Sequence, residues 1–171
     1  MTLGFLPQFK VLFDKYRYKV LLSGRSSGKS VAVATYLIWV ASRCKVKILC
    51  VREFMDSISE SSMAQILEVI DKSGTRSAWT ITKTEIVHNT TKSRFIFKGI
   101  KTNPESVKSI PYIDLCWVEE ANTLSKESLD ILIPTIRKAN AQIIFTGNPK
   151  DRMEALAQMF VENPPPPDTL S

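Results

Sequence analysis

Gly28-Lys29-Ser30, at the end of the small-residue run Ser23-Gly24-Arg25-Ser26-Ser27, places a lysine and a hydroxyl on one tight turn. Small residues let successive backbone N–H groups curl around an anion, and a helix starting there adds its positive dipole end. Lys29 then reaches the β- and γ-phosphates of a nucleotide, and Ser30 offers its hydroxyl to Mg²⁺. Glu119 and Glu120 are adjacent carboxylates closing the apolar run Ile113-Asp114-Leu115-Cys116-Trp117-Val118. The first suits a metal, bound directly or through water, and the second suits the orientation or deprotonation of an attacking water. Thr146-Gly147-Asn148 closes a third apolar run, Ile143-Ile144-Phe145. Its hydroxyl or amide suits sensing of a γ-phosphate, although Thr-Gly-Asn-Pro also reads as an ordinary turn.

These groups meet only if the elements around them bring them together. The loop departs from the phosphate-loop pattern G-x-x-x-x-G-K-[ST] at its first position, Ser23, with a glycine one place later at Gly24. Its context fits that pattern: Tyr18 to Leu22 reads as a strand running into the loop, and Lys29 to Arg43 as the helix leaving it. The alternative is a strand-turn-helix whose surface lysine is merely solvated. Lys47 to Arg52 reads as a strand buried on both faces, and Ser57 to Lys72 as a helix with its apolar residues at helical spacing and Gly74 as its stop. Between Trp79 and Phe97 short β-branched and aromatic runs predict a hairpin, Glu85 to His88 and Arg94 to Lys98, turning at Asn89-Thr90-Thr91-Lys92. The alternation resumes with a strand at Ile113 to Glu119, a helix at Lys126 to Lys138 capped by Ser125, a strand at Gln142 to Thr146 and a short helix from Met153 to Val161. Strands alternating with helices predict an α/β fold of the P-loop NTPase kind, a mostly parallel sheet sandwiched between helices with an inserted β-hairpin. In such a sheet ligands gather at the carboxyl ends of strands, where all three polar clusters fall. Arg25 has two readings, a surface charge on the turn or a guanidinium supplied in cis to the transferring phosphate.

At 171 residues, 44% of them hydrophobic, the chain suits a single domain. We read residues 1–163 as that domain, and the segment from Pro164 onward (164–171), with its four consecutive prolines, as a stiff linker or tail. No run approaches a membrane span and no secretory signal opens the chain, which predicts a cytosolic location. Cys44, Cys50 and Cys116 are odd in number and lack C-x-x-C spacing, so they read as buried thiols. His88 has no ligand-spaced Cys or His near it and reads as structural or surface. A net charge of +6, with Lys45, Lys47, Lys83, Lys92, Arg94, Lys98, Lys101 and Lys108 dispersed along the chain, favours a polyanionic partner such as nucleic acid.

Taken together, these segments resemble the N-terminal ATPase domain of the large terminase subunit of tailed bacteriophages. Ser23 to Ser30 is similar to that family's Walker A loop, which tolerates a changed first glycine and carries an arginine where Arg25 stands. Val118 to Ala121 resembles its Walker B segment with the catalytic glutamate, and Thr146 to Pro149 its coupling motif. Val51-Arg52-Glu53, Phe97 to Ile100 and Val107-Lys108-Ser109 also look like family features, so the likeness runs from about Leu6 to Pro167. The resemblance implies an ATP hydrolase using Mg²⁺ that translocates double-stranded DNA into a procapsid through the portal protein. It works with a small terminase subunit, in the cytoplasm of the infected bacterial host, as a homo-oligomeric ring during packaging and a monomer in isolation. It implies that Lys29 and Arg25 clamp phosphates, that Ser30 and Glu119 hold Mg²⁺, that Glu120 activates water and that Thr146, Gly147 and Asn148 couple hydrolysis to DNA. Gln8 resembles an adenine-reading position, and Arg52 is expected to flank the base or ribose. The family's second, nuclease domain carries a carboxylate cluster; no spaced Asp/Glu set follows Asp168, so cleavage is not expected of this polypeptide. The rival readings are another nucleic-acid-stimulated P-loop ATPase such as a helicase-like remodeller, a non-catalytic ATP-binding module and a nucleotide kinase. The acid pair argues against the kinase, which must exclude the water such a pair recruits.

Overall fold

In the computed structural model of the chain, the described residues are 7–24, 26–54, 62–148, 154–162 and 166–170. Eight strands form one sheet in the order β3-β4-β5-β2-β6-β7-β1-β8. They are β1 (Tyr18–Leu22), β2 (Lys47–Arg52), β3 (Trp79–Ile81), β4 (Glu85–His88), β5 (Arg94–Gly99), β6 (Leu115–Val118), β7 (Gln142–Gly147) and β8 (Thr169–Leu170). The strands from β5 to β8 in that order are parallel, while β3 and β4 run antiparallel at one edge. The helices are α1 (Lys29–Arg43), α2 (Ser62–Lys72), α3 (Pro104–Lys108), α4 (Lys126–Thr135) and α5 (Glu154–Ala157), with a 3-10 helix at Pro7–Phe13.

Strand alternation divides the core into two layers. Ile48, Cys50, Phe95, Phe97, Leu115, Trp117 and Ile144 pack with Val33, Leu37 and Ile38 of α1 and Ile66 and Ile70 of α2. Leu49, Val51, Cys116, Val118, Ile143 and Phe145 face the other way, onto Val107 of α3, Leu129 and Leu132 of α4, and Leu156 and Phe160. With both faces covered, the central strands are nearly continuous apolar runs, as parallel strands require. β1 and β2 are consecutive in the chain, yet β6 and β7 lie between them in the sheet. The ends of β6 and β7 are thereby held between the phosphate loop and the end of β2.

Some elements differ from the sequence reading. The hairpin is an antiparallel ribbon of three strands, continuous with the main sheet because β5 pairs in parallel with β2 from Lys47↔Arg94 to Arg52↔Gly99. The strand expected over Ile113 to Glu119 is only Leu115–Val118, and the helix expected to reach Lys138 stops at Thr135. Pro134 in its last turn has no N–H to extend the ladder, and Ile136 leaves the helical region at φ −82°, ψ 79°. Ser125 does cap α4, its hydroxyl accepting from Ser128 N at 3.2 Å. The part of the expected Ser57 helix before Ser62 lies outside the described residues. Beyond α5 the backbone widens into a π-helical turn, Gln158–Glu162. Thr169–Leu170, within the expected tail, pairs in parallel with β1.

Cys50 and Cys116 are buried, and burial raises both thiols, but Cys44 is exposed because it falls just past the end of α1. His88 is buried edge-on to Trp79 and bonds Thr91, with burial lowering its pKa. Lys19, in mid-strand, is fully buried on the α1 face. Its ammonium donates to Leu12 O at 2.7 Å and to Gln142 Oε1 at 3.0 Å, and lies 5.5 Å from the centre of the Tyr36 ring. This buried charge ties the 3-10 helix to the sheet, and desolvation pulls its pKa down to about 8 against the opposing influence of Asp14.

Candidate active site

β1 delivers the chain into a curled loop whose first residue is pinned by Ser23 N donating to Gly147 O at 3.4 Å. Positive φ at Ser26 (60°) and Gly28 (81°) supplies the curl, and glycine tolerates the second without a Cβ penalty. Ser23 is not among the positive-φ residues, which is why the first-position glycine of the motif can be a serine here. The Ser23 and Ser27 hydroxyls brace the loop at 2.5 Å. Gly28 caps α1, Ala32 N donates to Gly28 O at 2.9 Å, and Lys29 and Ser30 form the first turn of the helix. The Lys29 ammonium folds back onto the loop, donating to Ser23 O at 3.0 Å and Gly24 O at 3.3 Å.

The acid pair stands at the end of β6. Glu119 N continues the ladder to Val51 O at 3.1 Å and its residue is buried, whereas Glu120 turns into the left-handed region at φ 50°, ψ 44° with an exposed side chain. Thr123 N and Oγ1 both donate to Glu120 O at 2.8 Å, fixing the turn. Arg52, buried at the end of β2, holds both acids: its Nε lies 3.9 Å from Glu119 Oε2 and its Nη2 is in direct contact with Glu120 Oε2. The structure thus sets Arg52, expected to flank a base or ribose, against the acid pair. β2 borders β6 directly, with Val51 opposite Val118, so a side chain leaving the end of β2 meets whatever ends β6.

The third cluster closes the site between these two. Thr146 is buried; its Oγ1 accepts from Trp117 Nε1 at 3.0 Å and donates to Val118 O at 3.4 Å. Its single hydroxyl hydrogen therefore joins β7 to β6. Asn148 N donates to Asn122 Oδ1 at 3.4 Å, and that same oxygen lies 3.2 Å from where a Cβ on Gly147 would sit. Sequence reasoning misses Asn122; its only signal is its place two residues after the acid pair, in the turn that must return beside β7. A cleft of about 620 Å³ receives Ser26, Lys29 and Ser30 from the loop, Glu119, Glu120, Asn122 and Thr123 from the acid turn, and Thr146, Gly147 and Asn148 from β7. Arg25 and the side chain of Gln8 lie outside the described residues.

The cleft thus sets a lysine and a helix N-terminus against hydroxyl and carboxylate oxygens, the donors a hard cation such as Mg²⁺ takes. A parallel sheet between helices with this loop after β1 and this acid pair after β6 defines a P-loop NTPase fold. A family model described as phage terminase large subunit matches residues 15–170. The chain belongs to that family. The PBSX phage terminase large subunit of Bacillus subtilis (strain 168) is 31% identical over 137 residues, which cover 77% of this chain and 31% of that protein. The chain therefore spans about a third of that relative's length. Among solved structures, the N-terminal domain of the DNA packaging ATPase from bacteriophage phi29 superposes with a TM-score of 0.66 at 15% identity, covering 85% of this chain and 82% of that one. The large terminase of a thermophilic bacteriophage in complex with ADP gives a TM-score of 0.63 at 8% identity, covering 77% of this chain and 33% of that one. That terminase has also been solved in complex with ATP-gamma-S. At these identities the solved structures share the fold.

Proposed function

We propose that this chain is the ATP-hydrolysing domain of a phage DNA-packaging motor. The convergence of Lys29, Ser30, Glu119 and Glu120 on one cleft, in a member of the terminase family, carries the reading. The phi29 protein being a DNA packaging ATPase, and the thermophilic-phage terminase having been solved with ADP and with ATP-gamma-S, support it.

The residues present fit a nucleotide triphosphate and a divalent cation. The loop's left-handed turns and the two carbonyls now bonded by Lys29 form a cradle from which the ammonium turns to phosphate oxygens, exchanging neutral acceptors for charged ones. Ser30 and Glu119 would hold Mg²⁺, which when bound neutralises charge on the phosphates. Glu120, exposed to the cleft, orients the attacking water and takes its proton at the carboxylate. Arg52 draws that carboxylate toward β2. Asn148, tied to Asn122 on the acid turn, relays a change at the γ-phosphate to β7. Arg25 and Gln8 complete the reading as phosphate clamp and adenine contact.

Double-stranded DNA, portal protein, procapsid and a small terminase subunit are the proposed partners, with a homo-oligomeric ring as the packaging form and the infected host's cytoplasm as its place of work. Among the described residues no helix is long and apolar enough to cross a membrane. The test is phosphate release by the wild type and by Glu120→Gln, alongside binding of a fluorescent ATP analogue. Hydrolysis should fall by about 10²–10⁴-fold with binding retained. Equal rates would remove Glu120 from its role, and strand separation by the chain would favour a helicase-like remodeller instead.

A further inference from the structure

At the opposite end of the sheet from the cleft, the amino ends of β5, β2 and β6 open into a second depression of about 500 Å³. Its lining includes five cations, Lys45, Lys47, Lys92, Arg94 and Lys138, against a single carboxylate, Asp114. These come from separate segments that only the parallel register brings together. Lys47 and Arg94 are direct partners across β2 and β5. Like charges placed directly opposite repel; Glu85, 3.6 Å from the Arg94 guanidinium, offsets part of that, and the groove still sets five cations against one lining carboxylate.

The lone carboxylate is committed to structure, since Asp114 Oδ2 accepts from Lys47 N at 2.8 Å and its Oδ1 pairs with Lys138. The Lys47 ammonium lies on Pro111 O at 2.7 Å, at the rim of the same depression. Beside it Tyr112 is held at φ 58° with 76% of its surface exposed. An exposed tyrosine lining the same depression as the cations offers its hydroxyl to the sugar-phosphate backbone that the cations would meet.

We propose that this face binds the phosphate backbone of duplex DNA. The proposal rests on the packaging reading for the choice of duplex DNA, but it locates the contact about 20 Å from the cleft, the length of six residues of strand. Lys45, Lys92 and Arg94 are exposed and supply electrostatic contact without base readout, so binding tolerates sequence and weakens steeply with salt. Because the groove lies at strand starts and the cleft at strand ends of the same β2 and β6, a tilt of these strands would be felt at both.

The experiment measures fluorescence anisotropy of a labelled 30-base-pair duplex with the 171-residue chain across a salt series. It compares wild type, a triple variant Lys45→Glu/Lys92→Glu/Arg94→Glu, and its milder triple-Gln counterpart. A control reverses as many exposed charges elsewhere: Lys72→Glu/Arg76→Glu/Lys83→Glu. Binding of the fluorescent ATP analogue and melting temperature are followed for each. The groove variants should bind DNA about tenfold or more weakly at 0.1 M salt, with the slope of log affinity against log salt smaller by about 2.7, or about 0.9 per lost phosphate contact. Tyr112→Ala should lose affinity a few-fold without changing the slope. Nucleotide binding should stay as in the wild type, so a loss confined to DNA speaks for the groove and not against the ATPase reading. Unchanged affinity and slope in the triple-Gln variant, an equal loss in the control, or no duplex binding by the wild type would overturn the proposal while nucleotide binding remained. Binding of poly-glutamate that the groove variants abolish, with duplex affinity intact, would also overturn it and assign the face to an acidic protein.

Discussion

Removing the Arg52 side chain takes a guanidinium away from two carboxylates at once. Arg52 is 5% exposed and Glu119 9%, so truncation to alanine deprives a buried acid of the cation 3.9 Å away. Breaking a buried pair by deleting one partner costs about 3–5 kcal/mol. The contact with Glu120 adds little, because that side chain is 57% exposed and water screens it. We therefore expect a loss of about 3 kcal/mol, which for a chain of this size is a fall of about 6–12 °C in melting temperature. Arg52→Ala combined with Glu119→Gln separates charge from packing. If the cost arises from the buried negative charge left behind, neutralising Glu119 should restore about half of it or more, an interaction energy outside simple additivity. The assays are thermal and urea denaturation of the wild type, both single variants and the double. A fall below about 1 kcal/mol for Arg52→Ala, or additive losses in the double variant, would refute the idea that Arg52 compensates the acid pair.

Lys19 makes stability depend on pH. Its pKa is about 8 when folded against 10.5 when free, so below pH 8 both states carry the proton and the desolvation cost is fully felt. Between those values the unfolded chain binds more protons, and stability rises with pH at about 1.4 kcal/mol per unit, by up to roughly 3 kcal/mol over the window. Lys19→Met should flatten that rise in urea titrations from pH 7.5 to 10.5; an unchanged slope would assign it to other groups. Gly28→Ala tests the loop's left-handed turn: among the described residues nothing lies within 4 Å of an added Cβ, so the cost expected is the backbone strain at φ 81°. That is about 1–2 kcal/mol, or about 2–8 °C in melting temperature, with weaker binding of the ATP analogue.

Local patterns in the sequence are enough for the cradle and the elements around it. The glycines, the lysine and an uninterrupted apolar helix after a strand are near neighbours in the chain, and their chemistry does not depend on which strands pair. What escapes depends on pairing between distant segments. Arg52 reads as a polar strand end until β2 is known to border β6, and Asn122 as a loop residue until Gly147 is known to pass its side chain. That the Thr146 hydroxyl accepts from the indole N–H of Trp117, 29 positions away, gives no local sign. Period-2 alternation cannot say that a 3-10 helix covers the Lys19 face and offers Leu12 O. The early end of α4 is the exception, a local signal at Pro134 outweighed by an apolar pattern that continues past it.

The acid doublet shows how a strand end makes adjacent residues work together. Consecutive strand residues point to opposite faces, so two glutamates within β6 would be separated by the sheet. Glu119 still follows the strand, with its N–H on Val51 O, and falls on the same face as Trp117 and the start of α1. Glu120 would then face α4, but its left-handed backbone at φ 50° breaks the alternation, and both carboxylates open into the same cleft and lie against the same guanidinium. That conformation is costly for a residue other than glycine, and the two hydrogen bonds from Thr123 to Glu120 O hold it. A glycine at 120 would make the turn more easily but would leave no carboxylate there, so the backbone strain is the condition for placing two acids, one buried and one exposed, on a single loop.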